Sequence, residues 1–306
     1  MSLVAAAWDW YARNREVLTA VGALVGGGLL TWGALQQPAF ASHRLKAEKP
    51  TDHLPSTTEL FSRAVEQLGS SKVQVCLGGI YTLERISRES RQDYGAVMEI
   101  LTALVRQRAP WHEPDAGAPG QPTRRRDGVI GRKSSRSERP ADVAAALAVI
   151  MRRESVDRDH EETRLDLRRT NLKGASLIHA PLRRANLFAA NLIEADLTSA
   201  DLRRANLRRA NLSRANVIGA NLSRANMSGS NLSGANFRAA DLSGAIISWA
   251  DLSGVILYGA NLREATIIEA QLCGATLHGA DFRGADLSGS DISAAELGGA
   301  DLSCAN

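Results

Sequence analysis

Arginine recurs at intervals of twenty in the second half of this 306-residue chain, at Arg184, Arg204 and Arg224, with Arg183 and Arg203 beside the first two. Arg168 and Arg169 stand forty residues before Arg208 and Arg209. A guanidinium is a planar fork of donors that matches phosphate and carboxylate. The chemistry this spacing offers is the holding of an anion, provided the fold brings residues twenty apart together. Charge is uneven too: from Leu165 to Ala225 eleven Lys/Arg oppose four Asp/Glu, and from Asn226 to Asn306 three oppose nine. Bond-making chemistry has less to work with. The six histidines, at 43, 53, 112, 160, 179 and 278, form no pair at metal-ligand spacing. The stretch Asp157 to Glu162 reads as a solvated charged segment, and Gly26-Gly27-Gly28 lacks the Lys and Ser/Thr of a phosphate loop. No Ser, Cys or Asp lies in a recognised nucleophile setting. A non-enzymatic protein without metal or cofactor is the expectation.

What would position those arginines is a unit of five. From about Leu165 to Asn306 the chain repeats Ala-Asn-Leu-Arg-Arg, Ala-Asn-Leu-Ser-Arg and Ala-Asp-Leu-Ser-Gly. Five is neither the 3.6 of a packed helix nor the two of a strand, so the chain must coil. The central position is Leu or another apolar residue throughout, and a small residue sits two places before it, relaxed at Ser230, Val255 and Ser290. One large and one small residue per unit point inward, and the other three positions are read as facing water. Each unit is too small to bury anything alone, and stacking creates a continuous core.

These residues resemble the pentapeptide-repeat family, whose signature is Ala-(Asp/Asn)-Leu-x-x, over roughly the last 140 residues. The resemblance implies an all-β, right-handed, quadrilateral β-solenoid with four pentapeptides to a coil. At ~4.8 Å between stacked backbones, about seven coils make a rod on the order of 35 Å long. Residues twenty apart then stack. Leu182, Leu202, Leu222, Leu242 and Leu262 form one interior column, and Arg184, Arg204 and Arg224 an exterior ladder. In the fifth and sixth coils outward positions turn apolar: Ile246, Trp249 and Ile268 on one side, Ile256 and Tyr258 on the opposite one. Such a cluster is a candidate partner surface. The repeat runs to Asn306 without a capping segment, so docking of a second copy over the last coil is a further expectation.

The N-terminal half is different in kind. Residues 1–16 form a flank, and 17–35 (VLTAVGALVGGGLLTWGAL) are apolar or small throughout, long enough for a transmembrane helix. Trp8, Trp10, Tyr11 and Trp32 fall near its ends, where aromatics favour the interface. A buried soluble helix and a secretory signal ending at Ala39-Phe40-Ala41 are the alternatives. Residues 36–56 read as a juxtamembrane linker, and 57–111 as a helical module of three stretches, the first capped by Thr57 or Thr58. Its phrase AVEQLGSSKVQVCLGGIYTLERISRES resembles the helical segment of bacterial, membrane-anchored members of the family. Residues 112–139, with Arg124-Arg125-Arg126, form a basic flexible linker. Residues 140–164 are a capping helix and junction, and 165–306 the solenoid. Cys76, Cys273 and Cys304 are far apart in sequence and suit a reducing compartment.

The expected protein is a membrane-anchored interaction scaffold with a single span, a cytoplasmic body and a protein partner whose identity the sequence does not give. A DNA-mimicking modulator of topoisomerase, as in the quinolone-resistance members of the family, is one alternative, but that role needs a continuous acidic surface. Polyanion or nucleic-acid binding through the arginine ladder is another, disfavoured because exposed aromatics for base stacking are not interleaved with it.

Overall fold

The computed structural model describes residues 56–111, 140–152 and 164–306. The apolar run 17–35 with its flanks, the basic linker 112–139 and the junction 153–163 lie outside the described residues. Among the described residues no helix is long and apolar enough to cross a membrane. The chain divides into two units, Met1–Val97 and Met98–Asn306.

In the first unit α1 (Thr57–Leu68) packs against α2 (Val73–Glu89). Ser56, rather than Thr57 or Thr58, caps α1, its Oγ accepting from the Glu59 N–H at 3.2 Å. In α2, Cys76, Ile80, Leu83 and Ile86 recur at helical spacing and are buried. The two helices pack tightly at Gly79, where a Cβ would stand 2.6 Å from the Ala64 carbonyl oxygen. No side chain fits there.

The second unit is built on the coil. Each residue before a central Leu bridges in parallel to the residue twenty later: Asp166 to Asn186, Asn171 to Asn191, Ser176 to Asp196 and Pro181 to Asp201, continuing to Asp281 and Asp301. These four series are the four sides of the coil, numbered 1 to 4 in that order. Leu182, Leu202, Leu222 and Leu262 are fully buried and Leu242 is 2 % exposed, as a stacked interior column requires. The small residues two places earlier are buried with them. At Thr170 and Ser230, where a hydroxyl replaces Ala, it donates 2.6 Å to the carbonyl of Leu167 and Met227 and so enters the core satisfied.

Nearly every corner is a four-residue turn closed by a backbone bond such as Ala185 N–H to Leu182 O at 3.0 Å, while at the corner after Ile267 the Ala270 N–H goes instead to Ser290 Oγ at 3.0 Å. The third residue has positive φ at every corner from Arg169 to Cys304, the sign of a type II turn. Glycine fills only some of these corners; Arg184 and Trp249, both at φ 58°, are L-residues in the left-handed region.

The position before the central Leu corrects the expectation that it simply faces water. Where it is Asn or Asp, its side-chain oxygen accepts the N–H two residues on, as in Ser223 N–H to Asn221 Oδ1 at 3.0 Å, and holds the turn. Asn amides also reach down the stack, Asn206 Nδ2 donating to Asn186 Oδ1 at 3.1 Å. Asn191 is 1 % exposed. Asn and Asp are selected here as braces, not only as soluble surface.

The lower end of the stack is covered. In the second unit the C-terminal part of α3 (Arg91–Arg108) leads into Ala109–Trp111, which pairs with the first coil: Asn171 N–H donates to Ala109 O at 2.8 Å and Trp111 N–H to Arg169 O at 2.7 Å. Arg106 adds an ion pair to Asp166 at 2.5 Å. The expected cap, α4 (Ala141–Arg152), buries Val143, Ala146, Leu147, Val149 and Ile150, and its Asp142 pairs with Arg108 at 3.2 Å. Sequence reasoning assigned the cap to α4 alone; the segment after α3 is what bonds to the coil directly. Leu165, Leu167, Leu172 and Leu177 are no more than 1 % exposed.

Candidate functional site

Strand alternation decides which side chains share a side. Around each bridge residue the two neighbours point inward and the next residues out, and the burial of Ala185 and Leu187 with Arg184, Asn186 and Phe188 partly exposed follows that rule. Side 1 therefore shows three columns. Arg164, Arg184, Arg204 and Arg224 run along its first edge, Asp166, Asn186, Asn206 and Asn226 along its centre, and Arg168, Phe188, Arg208 and Ser228 along its second edge. Arg184, Arg204 and Arg224 thus share one edge, and Arg164, just before the first full unit, stands below them.

The other expected arginines turn away from it. Arg183 and Arg203 belong to side 4, where Arg203 grips Asp201 through two contacts of 2.7 and 2.5 Å. Arg169 and Arg209 turn the next corner onto side 2. The apolar candidates separate similarly: Ile246 and Ile268 lie on side 1, Trp249 on the corner just past them, and Ile256 with Tyr258 on side 3, opposite. Trp249 is 64 % exposed and donates from Nε1 to Glu269 at 2.8 Å. Tyr258 lies under the Arg238 guanidinium, 5.1 Å from the ring centre.

Among the described residues Arg184, Arg204, Arg208 and Arg224 make no ion pair. On sides 3 and 4 several charges are matched, whereas on side 2 Arg169 and Arg209 make no ion pair among the described residues either. Asp281 on side 4 is held down to about 2, first by the hydrogen bond from the Arg283 side chain, against the opposing effect of burial. Burial pushes the Asp201 carboxyl up, but the bonds and charge of Arg203 and the charge of Arg183 outweigh it and leave it below the ordinary value. Side 3 pairs His278 with Glu296 at 3.1 Å. A continuous free acidic face, which DNA mimicry demands, is not what side 4 offers. Among the described residues no group of three or more His, Cys, Asp and Glu is placed to hold a metal.

A twenty-residue coil of four five-residue sides, with Leu and Ala inside, decides the family. A sequence profile for pentapeptide repeats matches eight copies, at residues 163–187, 190–229, 220–257, 256–293 and 267–303. The chain belongs to the pentapeptide-repeat family. Among solved pentapeptide-repeat structures, HetL from the cyanobacterium Nostoc sp. strain PCC 7120, involved in heterocyst differentiation regulation, is 34 % identical over 46 % of this chain and 73 % of its own, with a TM-score of 0.29. A protein of the Arabidopsis thaliana thylakoid lumen is 35 % identical over 30 % of this chain and 63 % of its own, at 0.30. QnrB1, a plasmid-mediated fluoroquinolone resistance protein, is 24 % identical over 43 % and 76 %, at 0.29. No match appears among curated proteins. For this pentapeptide-repeat protein the family supplies the scaffold, and function must be sought in its surface columns.

Proposed function

We infer that this pentapeptide-repeat protein is a membrane-tethered, non-enzymatic scaffold that presents fixed rows of side chains to a partner. The observation that carries the scaffold is the division of labour in the coil. Inward positions go to packing and the Asn/Asp positions to bracing, so the columns between are free to vary and are held at constant spacing. Side 1 uses that freedom to gather unpaired arginine, which favours an anionic partner. The tether is carried by the uncharged run from Val17 to Leu35, with a single span and the body on the cytoplasmic side, as the arginines and lysines after the span favour.

Cell fractionation tests the tether. The full chain should stay with membranes through alkaline carbonate extraction and the variant lacking residues 17–35 should leave them; release of both refutes the span. Affinity capture from detergent-solubilised membranes tests the scaffold. Recovery of a discrete protein whose association is lost on changing outward columns supports it, and recovery of topoisomerase would install the DNA-mimic reading instead.

A further inference from the structure

Side 1 stands apart from the other three sides over coils one to four. Arg164, Arg184, Arg204 and Arg224 form one edge, and Arg168 and Arg208 the other. The only acid among them, Asp166, is taken by Arg106 at 2.5 Å and Arg168 at 3.2 Å. Between the edges Asn186 and Asn206 bond along the stack, Asn186 Nδ2 to Asp166 Oδ1 at 3.1 Å and Asn206 Nδ2 to Asn186 Oδ1 at 3.1 Å, so the centre supplies no counter-charge. Phe188, partly exposed, sits in the second edge between Arg168 and Arg208. Farther along the same side follow Ile246, 40 % exposed, and Ile268. On sides 3 and 4 of the same coils, by contrast, Arg214 approaches Glu194 and Arg203 holds Asp201.

We propose that side 1 of coils one to four lies flat on an anionic phospholipid surface, with its arginines among the headgroup phosphates and Phe188 at the acyl boundary. The two edges are four residues apart, about 13 Å of extended backbone, and the rungs of each are stacked at about 4.8 Å. A bilayer is planar and fluid, so its headgroups can move to meet both rows at once. A nucleic-acid duplex is convex and its phosphates are fixed; it touches a flat side along one strip and leaves a row of arginines unused. Phe188, Ile246 and Ile268 find nothing on a phosphate backbone, whereas apolar side chains beside arginine are the composition of an interfacial membrane surface. Each arginine near an anionic leaflet is worth about a fivefold gain in partitioning, so the four unpaired ones together give several hundredfold. The inference rests on the scaffold reading for treating the columns as the working surface, and needs no tether.

The test uses the full chain, reconstituted with vesicles of phosphatidylcholine alone or with a third phosphatidylglycerol, each carrying brominated lipid as a quencher. In a background with the exposed Cys273 and Cys304 changed to Ser, a fluorophore is placed at Ser228→Cys on side 1 or at Tyr258→Cys on side 3. Quenching at 228 only, dependent on phosphatidylglycerol and lost at high salt, is the expected result. Arg184, Arg204 and Arg224 changed together to Ser should weaken the docking of side 1, read as the phosphatidylglycerol-dependent quenching at 228, by about a hundredfold, and the same three changed to Lys should keep most of it, which separates charge from folding. Equal quenching at both positions, or quenching indifferent to phosphatidylglycerol, overturns the proposal. So does displacement of the vesicles by a duplex oligonucleotide at equal phosphate concentration, which would give side 1 to nucleic acid. A missing span or a missing protein partner leaves these readouts unchanged, so the tether and scaffold fail separately.

Discussion

Changing Leu222 to Ala strikes the interior column at its middle. Leu222 is fully buried, with Leu202 and Leu242 below and above it at 0 % and 2 % exposure, and its amide holds Asp241 O at 2.7 Å. Removing three carbons from such a site costs the lost transfer energy and leaves a cavity, about 3–5 kcal/mol where the surroundings cannot collapse. They cannot collapse here, because each backbone is tied to the coils on either side and the stacking distance is fixed by those bonds. Adjacent Ser223 makes a useful control: its Oγ donates to Asn221 Oδ1 at 2.8 Å on the outer surface, so Ser223→Ala should cost no more than about 1 kcal/mol. Because coils touch only their neighbours, the loss at Leu222 should also weaken the link between the lower and upper coils. Urea denaturation followed by circular dichroism reads the total. Hydrogen exchange reads its place: amides of the third to fifth coils should exchange at least a hundredfold faster, about 3 kcal/mol by the usual conversion. A cost below 1 kcal/mol, or unchanged exchange in those coils, refutes the stacked-column packing.

Gly79→Ala should separate α1 from α2, since the added carbon would stand 2.6 Å from the Ala64 carbonyl oxygen; a loss of about 1–3 kcal/mol in urea melts of the helical unit is expected, and a neutral result would mean the helices do not cross there. Trp249→Gly relieves a left-handed L-residue whose ring is 64 % exposed, so stability should stay within about 1 kcal/mol of the parent or rise, as followed by thermal melts; a larger loss would show that the ring packs. Acid should destabilise the solenoid. The Asp281 carboxyl is depressed to about 2 by Arg283, and Asp286, Asp291 and Asp301 are lowered by the hydroxyls of Ser288, Ser293 and Ser303. Their folded values lie below the unfolded one, so their contribution is complete above about pH 4 to 5 and is lost as the pH falls toward 2. Denaturant midpoints from pH 6 to 2 check the sign, and Asp281→Asn should flatten part of the decline; a midpoint that rises in acid would contradict it.

The coil was legible because its physics is local and repeated. One large and one small inward residue per five positions require a stacked coil that buries the leucines, and the twenty-residue register of Arg184, Arg204 and Arg224 came from the resemblance to pentapeptide repeats, which implies four units to a coil. What the sequence hid lies in relations that a repeat letter does not encode. Asn206 and Asn221 looked like solvent-facing choices, although the prevalence of Asn and Asp before the central residue was itself a sign of a turn-holding oxygen. Arg203 and Arg204 are neighbours in sequence, yet the corner between Leu202 and Ala205 sends one to a carboxylate on side 4 and leaves the other unpaired on side 1. The pairing of Ala109 and Trp111 with Arg169 and Asn171 joins segments sixty residues apart, and no periodicity announces such a contact.

The register can be measured directly by the distance between spin labels at Arg168→Cys and Ser288→Cys, with Cys273 and Cys304 replaced. These positions share the second edge of side 1 and lie six coils apart, so a narrow distribution centred near 29 Å is expected, as six spacings of ~4.8 Å require. A broad distribution, or a centre displaced by a coil spacing or more, would contradict the twenty-residue coil and with it the arginine-edged side.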